Sequence, residues 1–367
     1  MLTLLKRIAL SSFVIGTLLS TSSGQEEQPE LPLEGERFND LTNWLSPISG
    51  GNETRFSWDL SVRGIQKVGA PQTDLLSAVG LDLHHVFSSS TGRDLGTLRL
   101  QGYALRADFP KNPPLFGDNH WEWTDRIADF NYTRFSAKGV NVRLGHYQVP
   151  YGLEQTQSTY GTLRDYMSRT NLGIKADWGV TLNGQLPDYE YEVSLSRGSG
   201  QNYKDLEENY VFAGRLGTPR EENLCVGTSF MSGRLPDVGP VGFVDLGDLG
   251  NFGGNFINKH RFGLDAIWSL PVVTVLSEVN FGENDATNVA SAMLEVNCTS
   301  SNENELAYVQ LFGSDDQEKG DEYWATLGGL VHLGGGVTLS AQYKVDLDAW
   351  RAPDRSETFM LQLRYRF

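Results

Sequence analysis

Ser356-Glu357-Thr358-Phe359-Met360-Leu361-Gln362-Leu363-Arg364-Tyr365-Arg366-Phe367 decides how the rest of the chain is read. From Phe359 onward every odd position is apolar or aromatic. Thr358, Gln362, Arg364 and Arg366 are polar, and Met360 is the exception. Alternation with period two marks a strand whose two faces meet different surroundings. The segment before it repeats the rhythm. Val337, Leu339, Ala341, Tyr343, Val345 and Leu347 alternate with Thr338, Ser340, Gln342, Lys344, Asp346 and Asp348. A polar loop containing Pro353 joins the two.

Working backwards, the same alternation recurs around Phe262–Trp268, Val273–Phe281, Tyr189–Leu195, Ile174–Leu182 and Phe56–Val62. A soluble sandwich also alternates. Two features favour a membrane barrel. The segments run about ten residues, the length of tilted spanning strands, against about five or six in soluble sheets. Connections also alternate between tight turns (Lys138-Gly139, Leu186-Pro187, Leu270-Pro271, Gly334-Gly335-Gly336) and long loops at 109–125, 149–173 and 233–259. The expected strands are 54–64, 76–87, 95–107, 126–137, 140–148, 174–185, 188–197, 209–217, 223–232, 260–270, 272–281, 289–297, 305–313, 322–333, 337–347 and 357–367. Alternation breaks in the fourth, twelfth and thirteenth. An even number of about sixteen is what single-chain bacterial barrels show.

Composition agrees. The 367 residues carry 46 Asp+Glu against 30 Lys+Arg, a formal charge of −16, with 40 Gly and only two Cys. That balance excludes a phosphate-neutralising nucleic-acid binder, and the cysteine count excludes a disulfide framework. Lys6 and Arg7 precede the apolar run Ile8–Leu19 and the small residues Ser20–Gly24, the pattern of a secretory signal peptide over 1–24. A membrane anchor is the alternative. Residues 25–52 read as a periplasmic N-terminal tail, and 53–367 as an outer-membrane β-barrel of a Gram-negative-type bacterium.

In lipid every backbone N–H and C=O needs a partner, which a closed barrel supplies. Its outer strips carry Trp58, Trp178, Tyr191, Trp268 and Phe367 near strand ends, as interfacial aromatic girdles do. A barrel this wide leaves an aqueous channel. Its inward basic residues are Arg55, Arg63, Arg99, Arg143, Lys175, Arg215, Arg261, Lys344, Arg364 and Arg366. The acidic ones are Asp59, Asp82, Asp177, Glu190, Glu192, Asp265, Glu278 and Asp346. The wall is therefore nearly balanced. The excess negative charge falls on loops: Asp205, Glu207, Glu208, Asp237, Asp245, Asp248, then Asp315, Asp316, Glu318, Asp321 and Glu322. These form either a hydrated rim or an acidic mouth that enriches cations.

The third long loop is the most specific stretch. Leu144-Gly145-His146-Tyr147-Gln148-Val149-Pro150-Tyr151-Gly152-Leu153-Glu154, then Asp165-Tyr166-Met167-Ser168-Arg169, then Trp178-Gly179-Val180-Thr181-Leu182-Asn183-Gly184, resembles the phosphate-selective porin O and P family across 140–185. The resemblance implies a sixteen-strand, homotrimeric diffusion channel whose third loop folds inward as a constriction, placing Glu154, Arg164 and Arg169 there. Lysine is scarce in this lumen, so architecture and channel role carry over, and phosphate selectivity does not. The two arginines either face the pore or tie the loop to wall carboxylates.

The six His show no metal-ligand spacing, and His84 and His85 point to opposite faces of one strand. No nucleophile motif accompanies them, so neither an enzyme, a metal nor a cofactor is expected. Cys225 and Cys298 fall at the periplasmic ends of the ninth and twelfth strands, with two strands between them, too far apart for a disulfide. The expected function is passive diffusion of small hydrophilic solutes or ions across a lipid bilayer, anions such as phosphate among the candidates. The competing reading is a structural or adhesive barrel with a blocked lumen.

Overall fold

The computed structural model describes residues 53–89, 94–108, 121–136, 139–155, 161–166, 172–200, 209–220, 222–236, 256–317, 320–347 and 357–367. The expected signal peptide and tail lie outside them. Sixteen antiparallel strands form one closed barrel. They are β1 (Glu53–Lys67), β2 (Asp74–Ser88), β3 (Asp94–Ala107), β4 (Glu122–Ser136), β5 (Val140–Gln148), β6 (Ala176–Gln185), β7 (Glu190–Ser196) and β8 (Tyr210–Gly217), then β9 (Leu224–Pro236), β10 (Phe256–Ser269), β11 (Val273–Asn284), β12 (Thr287–Thr299), β13 (Glu305–Asp316), β14 (Gly320–Gly334), β15 (Val337–Asp346) and β16 (Glu357–Arg366). Each strand pairs with its sequence neighbours. β1 meets β16 from Asp59↔Arg366 to Lys67↔Thr358, which closes the ring. The pairing ends in reciprocal backbone bonds between Trp58 and Phe367 at 2.7 and 3.1 Å.

Alternation has the expected physical meaning. Phe359, Leu361, Leu363, Tyr365 and Phe367 are exposed on the outer surface, while Gln362 between them is buried inside. Met360 points into the lumen with its even-numbered neighbours, facing Gln342. Exposed outer aromatics gather towards both rims: Trp58, Tyr132, Trp268, Tyr365 and Phe367 near the tight-turn rim, and Trp123, Tyr210, Tyr343 and Phe359 near the other. The weak alternation of the fourth strand comes from register shifts on both its sides, at Gln101/Gly102 and at Tyr132/Ser136. Each bulge re-aims the side chains beyond it.

Connections at the tight-turn rim are all short (89–93, 137–139, 186–189, 218–223, 270–272, 300–304, 335–336). Gly335 and Gly336 both have positive φ, the conformation a two-residue hairpin turn of matching twist requires. The opposite rim carries the long connections at 108–121, 149–175, 197–209 and 237–255. It also carries the two-residue turn 285–286 and the turn 317–319, so the segregation of loop lengths is one-sided. Expected boundaries shift accordingly. β9 and β10 extend into the expected 233–259 loop, β4 starts at Glu122, and Ile174 and Lys175 fall outside β6. Lys175 instead closes the base of its loop, its carbonyl accepting the Val149 N–H at 3.0 Å.

Candidate channel lumen

The connection 149–175 enters the barrel and lies against one side of it. Its roots Val149, Tyr151, Leu172 and Ile174 form a buried apolar cluster with Val211 and Ala213 of β8 and Met231 and Leu235 of β9. At Gly152, whose φ is +63°, the chain turns. The Gly152 N–H donates to Ser229 Oγ at 3.0 Å, and the Leu153 N–H donates to Glu278 Oε2 at 2.8 Å. A Cβ at Gly152 would lie 2.5 Å from that carboxylate oxygen, so only glycine permits this approach. Tyr151 Oη donates to Asn280 Oδ1 at 2.9 Å. Glu154 pairs with Lys175 across the loop base.

Beyond this turn, Leu153 and Tyr166 bury themselves with Cys225, Ile267, Leu276, Met293 and Phe312, and Trp324 packs alongside. Arg164 Nη1 donates to Glu295 Oε1 at 3.1 Å, with Glu295 wholly buried. Burial alone would lower the Arg164 pKa, but the neighbouring Tyr166 and Glu295 outweigh it and raise it, so the guanidinium stays charged. Gln310 spans the backbone of Asp165 (3.2 and 2.9 Å) and also reaches Glu295 (2.7 Å). Lys344 Nζ binds Asp165 Oδ2 at 2.9 Å and sits 4.6 Å from the centre of the Trp324 ring. Gln362 donates to the Gly161 carbonyl at 2.8 Å. The described loop residues therefore reach from β5 to β16, packing their apolar side chains on β8–β14 and making polar contacts to Lys344 and Gln362 on β15 and β16.

The rest of the lumen divides along that line. On the braced side Arg215 is buried between Asp265 (2.7 Å) and Glu190 (3.1 Å). Arg261 donates to the carbonyls of His260 (2.9 Å) and Glu283 (2.6 Å) and to Asn284 Oδ1 (2.6 Å). On the other side Arg99 pairs with Asp129 at 2.6 Å, Arg366 with Asp82 at 3.0 Å and Arg364 with Asp59 at 2.6 Å. There the side chains of Arg99 and Arg366 keep 34% and 37% of their surface, and Lys344 at the boundary keeps 32%. Arg143, mostly buried, pairs with Glu192 at 2.7 Å, and Arg55 pairs with Glu53 at the exposed tight-turn rim.

All eight pore-lining candidates (Arg55, Arg99, Arg143, Lys175, Arg215, Arg261, Lys344 and Arg364) thus take inward register positions or, for Lys175, the loop base. Arg169 lies outside the described residues, as do Asp205, Glu207, Glu208, Asp237, Asp245, Asp248 and Glu318. Sequence reasoning missed the groups that hold the loop: Ser229, Asn280, Glu295 and Gln310. It also missed the inward Asp129 and Lys259. For Glu295 the signal was hidden, because Met293 interrupts the otherwise polar inward face of β12 (Ser291, Glu295, Asn297) and packs beneath Leu153 and Tyr166. Cys225 and Cys298 are both unbridged. Cys225 is buried, facing into the barrel beside Ile267, and Cys298 is exposed on the outside. Among the described residues no group of three or more His, Cys, Asp or Glu is arranged to hold a metal ion.

The barrel superposes on solved outer-membrane proteins. The anion-selective porin from Comamonas acidovorans is 12% identical, covering 86% of this chain and 100% of its own, with a TM-score of 0.59. OprB of Pseudomonas putida is 8% identical, covering 86% and 94%, with a TM-score of 0.60. OmpF of Salmonella typhi, solved with daunomycin, is 9% identical, covering 86% and 98%, with a TM-score of 0.59. No protein-family model and no curated protein matches the sequence. At these identities the likeness defines the fold: a closed sixteen-stranded antiparallel β-barrel similar to those of solved outer-membrane porins.

Proposed function

We propose that this protein is a passive diffusion channel of the outer membrane for small hydrophilic solutes or ions. Residues 1–24 export it, and residues 25–52 lie in the periplasm. The observation that carries this reading is the divided lumen. A loop folds across the barrel, packs onto one half, and leaves Arg99, Arg366 and Lys344 of the other half partly exposed. On this reading water follows the β14–β16 and β1–β4 wall, past Lys344, Arg366 and Arg99. Glu154, Arg164 and Arg169 belong to the loop that narrows the lumen. Arg164 acts through its hold on Glu295, and Asp165 is the loop side chain that meets the water. Most of the cations named on this wall are paired with a carboxylate (Arg99, Arg364, Arg366 and Lys344), while Arg63 donates to the Gln362 amide; this supports weak selectivity, with anions such as phosphate admitted alongside other small solutes. Homotrimeric assembly and an entirely non-enzymatic role complete the reading.

Planar-bilayer recording tests it. Purified protein should give ohmic conductance steps, and their reversal potential in a salt gradient measures selectivity. Protein that inserts but never conducts would favour the structural or adhesive barrel, for which the filled half of the lumen is the supporting observation.

A further inference from the structure

The open side of the lumen is not ionic throughout. On β1 the inward positions run through Asp59 and Arg63 to Ile65, because Leu60 and Val62 between them are exposed on the outside. Ile65 lies opposite Met360 of β16. Arg63 lies opposite Leu76 of β2. Two residues further along β2, Ala78 lies opposite Leu105 of β3. These apolar side chains form one strip across the inner faces of β16, β1, β2 and β3, about 14 Å wide. It stands between the ion pairs of this wall and the long-loop rim. The inward apolar residues of the braced side are placed differently. Met231, Ile267, Leu276, Met293 and Phe312 are all buried in the clusters beneath the loop. The strip belongs to neither cluster, and each of its members stays partly exposed. Apolar surface left facing water forgoes about 25 cal/mol per Å², and a contiguous apolar patch marks a contact surface. On the inside of a channel, a small solute is the partner that reaches it.

Charge says which solute. Arg63 is set between Ile65 and Leu76, with its Nε and Nη2 fixed on Gln362 Oε1 at 2.8 and 2.6 Å. Lys67 takes the next inward position beyond Ile65, and Asp74 faces Ile65 from β2. A positioned guanidinium suits a carboxylate head. An apolar floor with a few fixed polar groups is the usual make-up of a small-molecule site. We propose that this strip is a binding site for small amphiphilic anions, short aliphatic carboxylates, with the head on Arg63 and the chain on Ile65, Met360, Leu76, Ala78 and Leu105. A wholly hydrophilic ion gains nothing from the strip, so the site ranks solutes by their apolar part. The inference rests on the channel reading above and names a class of solute for it.

Single-channel recording of the purified full chain, in potassium chloride at neutral pH, tests the site. Hexanoate, acetate and hexylammonium are added in turn to both chambers. Hexanoate should interrupt the current with residence times about tenfold longer than those of acetate, and hexylammonium should give no comparable interruptions. Arg63→Gln should shorten the hexanoate residence about tenfold. Leu76→Asn should do the same, again about tenfold, and Met360→Gln serves if the Leu76 variant fails to fold. Hexanoate interruptions no longer than those of acetate overturn the inference, and the ohmic steps then leave the channel reading intact. Equal interruption by hexylammonium also overturns it, because the head group then has no part. So does a hexanoate residence that the substitutions leave unchanged, which places the contact elsewhere. Protein that inserts without conducting overturns the channel reading itself, and this inference with it.

Discussion

The two halves of the lumen use the same side chains for different ends. On the β8–β13 half, arginines, carboxylates and amides are sealed beneath the loop, and each is held by its neighbours. On the β14–β4 half, Arg99, Arg366 and Lys344 form ion pairs that keep about a third of the basic side chain in water, and Arg364 keeps 15%. A buried pair broken on one side leaves an uncompensated charge, whereas an exposed pair contributes little to stability and much to the local field. Charge on the first half therefore holds the architecture, and on the proposed function charge on the second half meets the solute.

Substitutions should separate these roles in order of size. Glu295→Ala strands buried Arg164 and frees Gln310, so the barrel should lose about 3–5 kcal/mol, read as a lowered urea midpoint, together with noisy conductance as the loop loosens. An unchanged midpoint would remove the distinction between the halves. Gly152→Ala forces an L residue to φ +63° against Glu278 and should cost about 1–3 kcal/mol in the same assay. Gly161→Ala combines φ +65° with a Cβ 2.3 Å from Arg364 Cζ. The guanidinium can swing away, so the expected cost is about 1–2 kcal/mol. The displaced arginine stands in the wet half, so single-channel conductance should change too. Lys344→Met should move stability by less than about 1 kcal/mol. It leaves Asp165 unopposed, so the reversal potential should shift towards cation preference. A stability loss as large as that of Glu295→Ala would place Lys344 with the sealed half.

How much of this was legible in the sequence follows the same division. Where the outer face is apolar and the inner face polar, as in β16 and β15, period two is clean, and face, register parity and lumen charges can be read directly. Where the loop covers the inner face, the wall turns apolar or amide-rich on both sides. That is why β12 and β13 lost their alternation at Met293, Tyr308 and Phe312. The loop motif marked where the chain leaves the wall, because Pro150 and Gly152 announce a sharp exit. Its partners could not be read, since Ser229, Glu278, Glu295, Gln310 and Gln362 come from distant strands and their meeting depends on closure. The β4 bulges were equally hidden, since a register shift leaves no local composition.

Those distant partners also set an order of events. Gln148 of β5 donates to the Glu154 carbonyl at 2.7 Å, but the other wall side chains that hold the described loop residues from Gly152 to Asp165 (Ser229, Glu278, Glu295, Gln310, Lys344 and Gln362) lie later in the chain than the loop itself. During assembly the loop exists before most of the groups that fasten it. The loop therefore takes its final position only once the second half of the wall is in place to receive it. The last strands to be made are the ones that set the width of the opening.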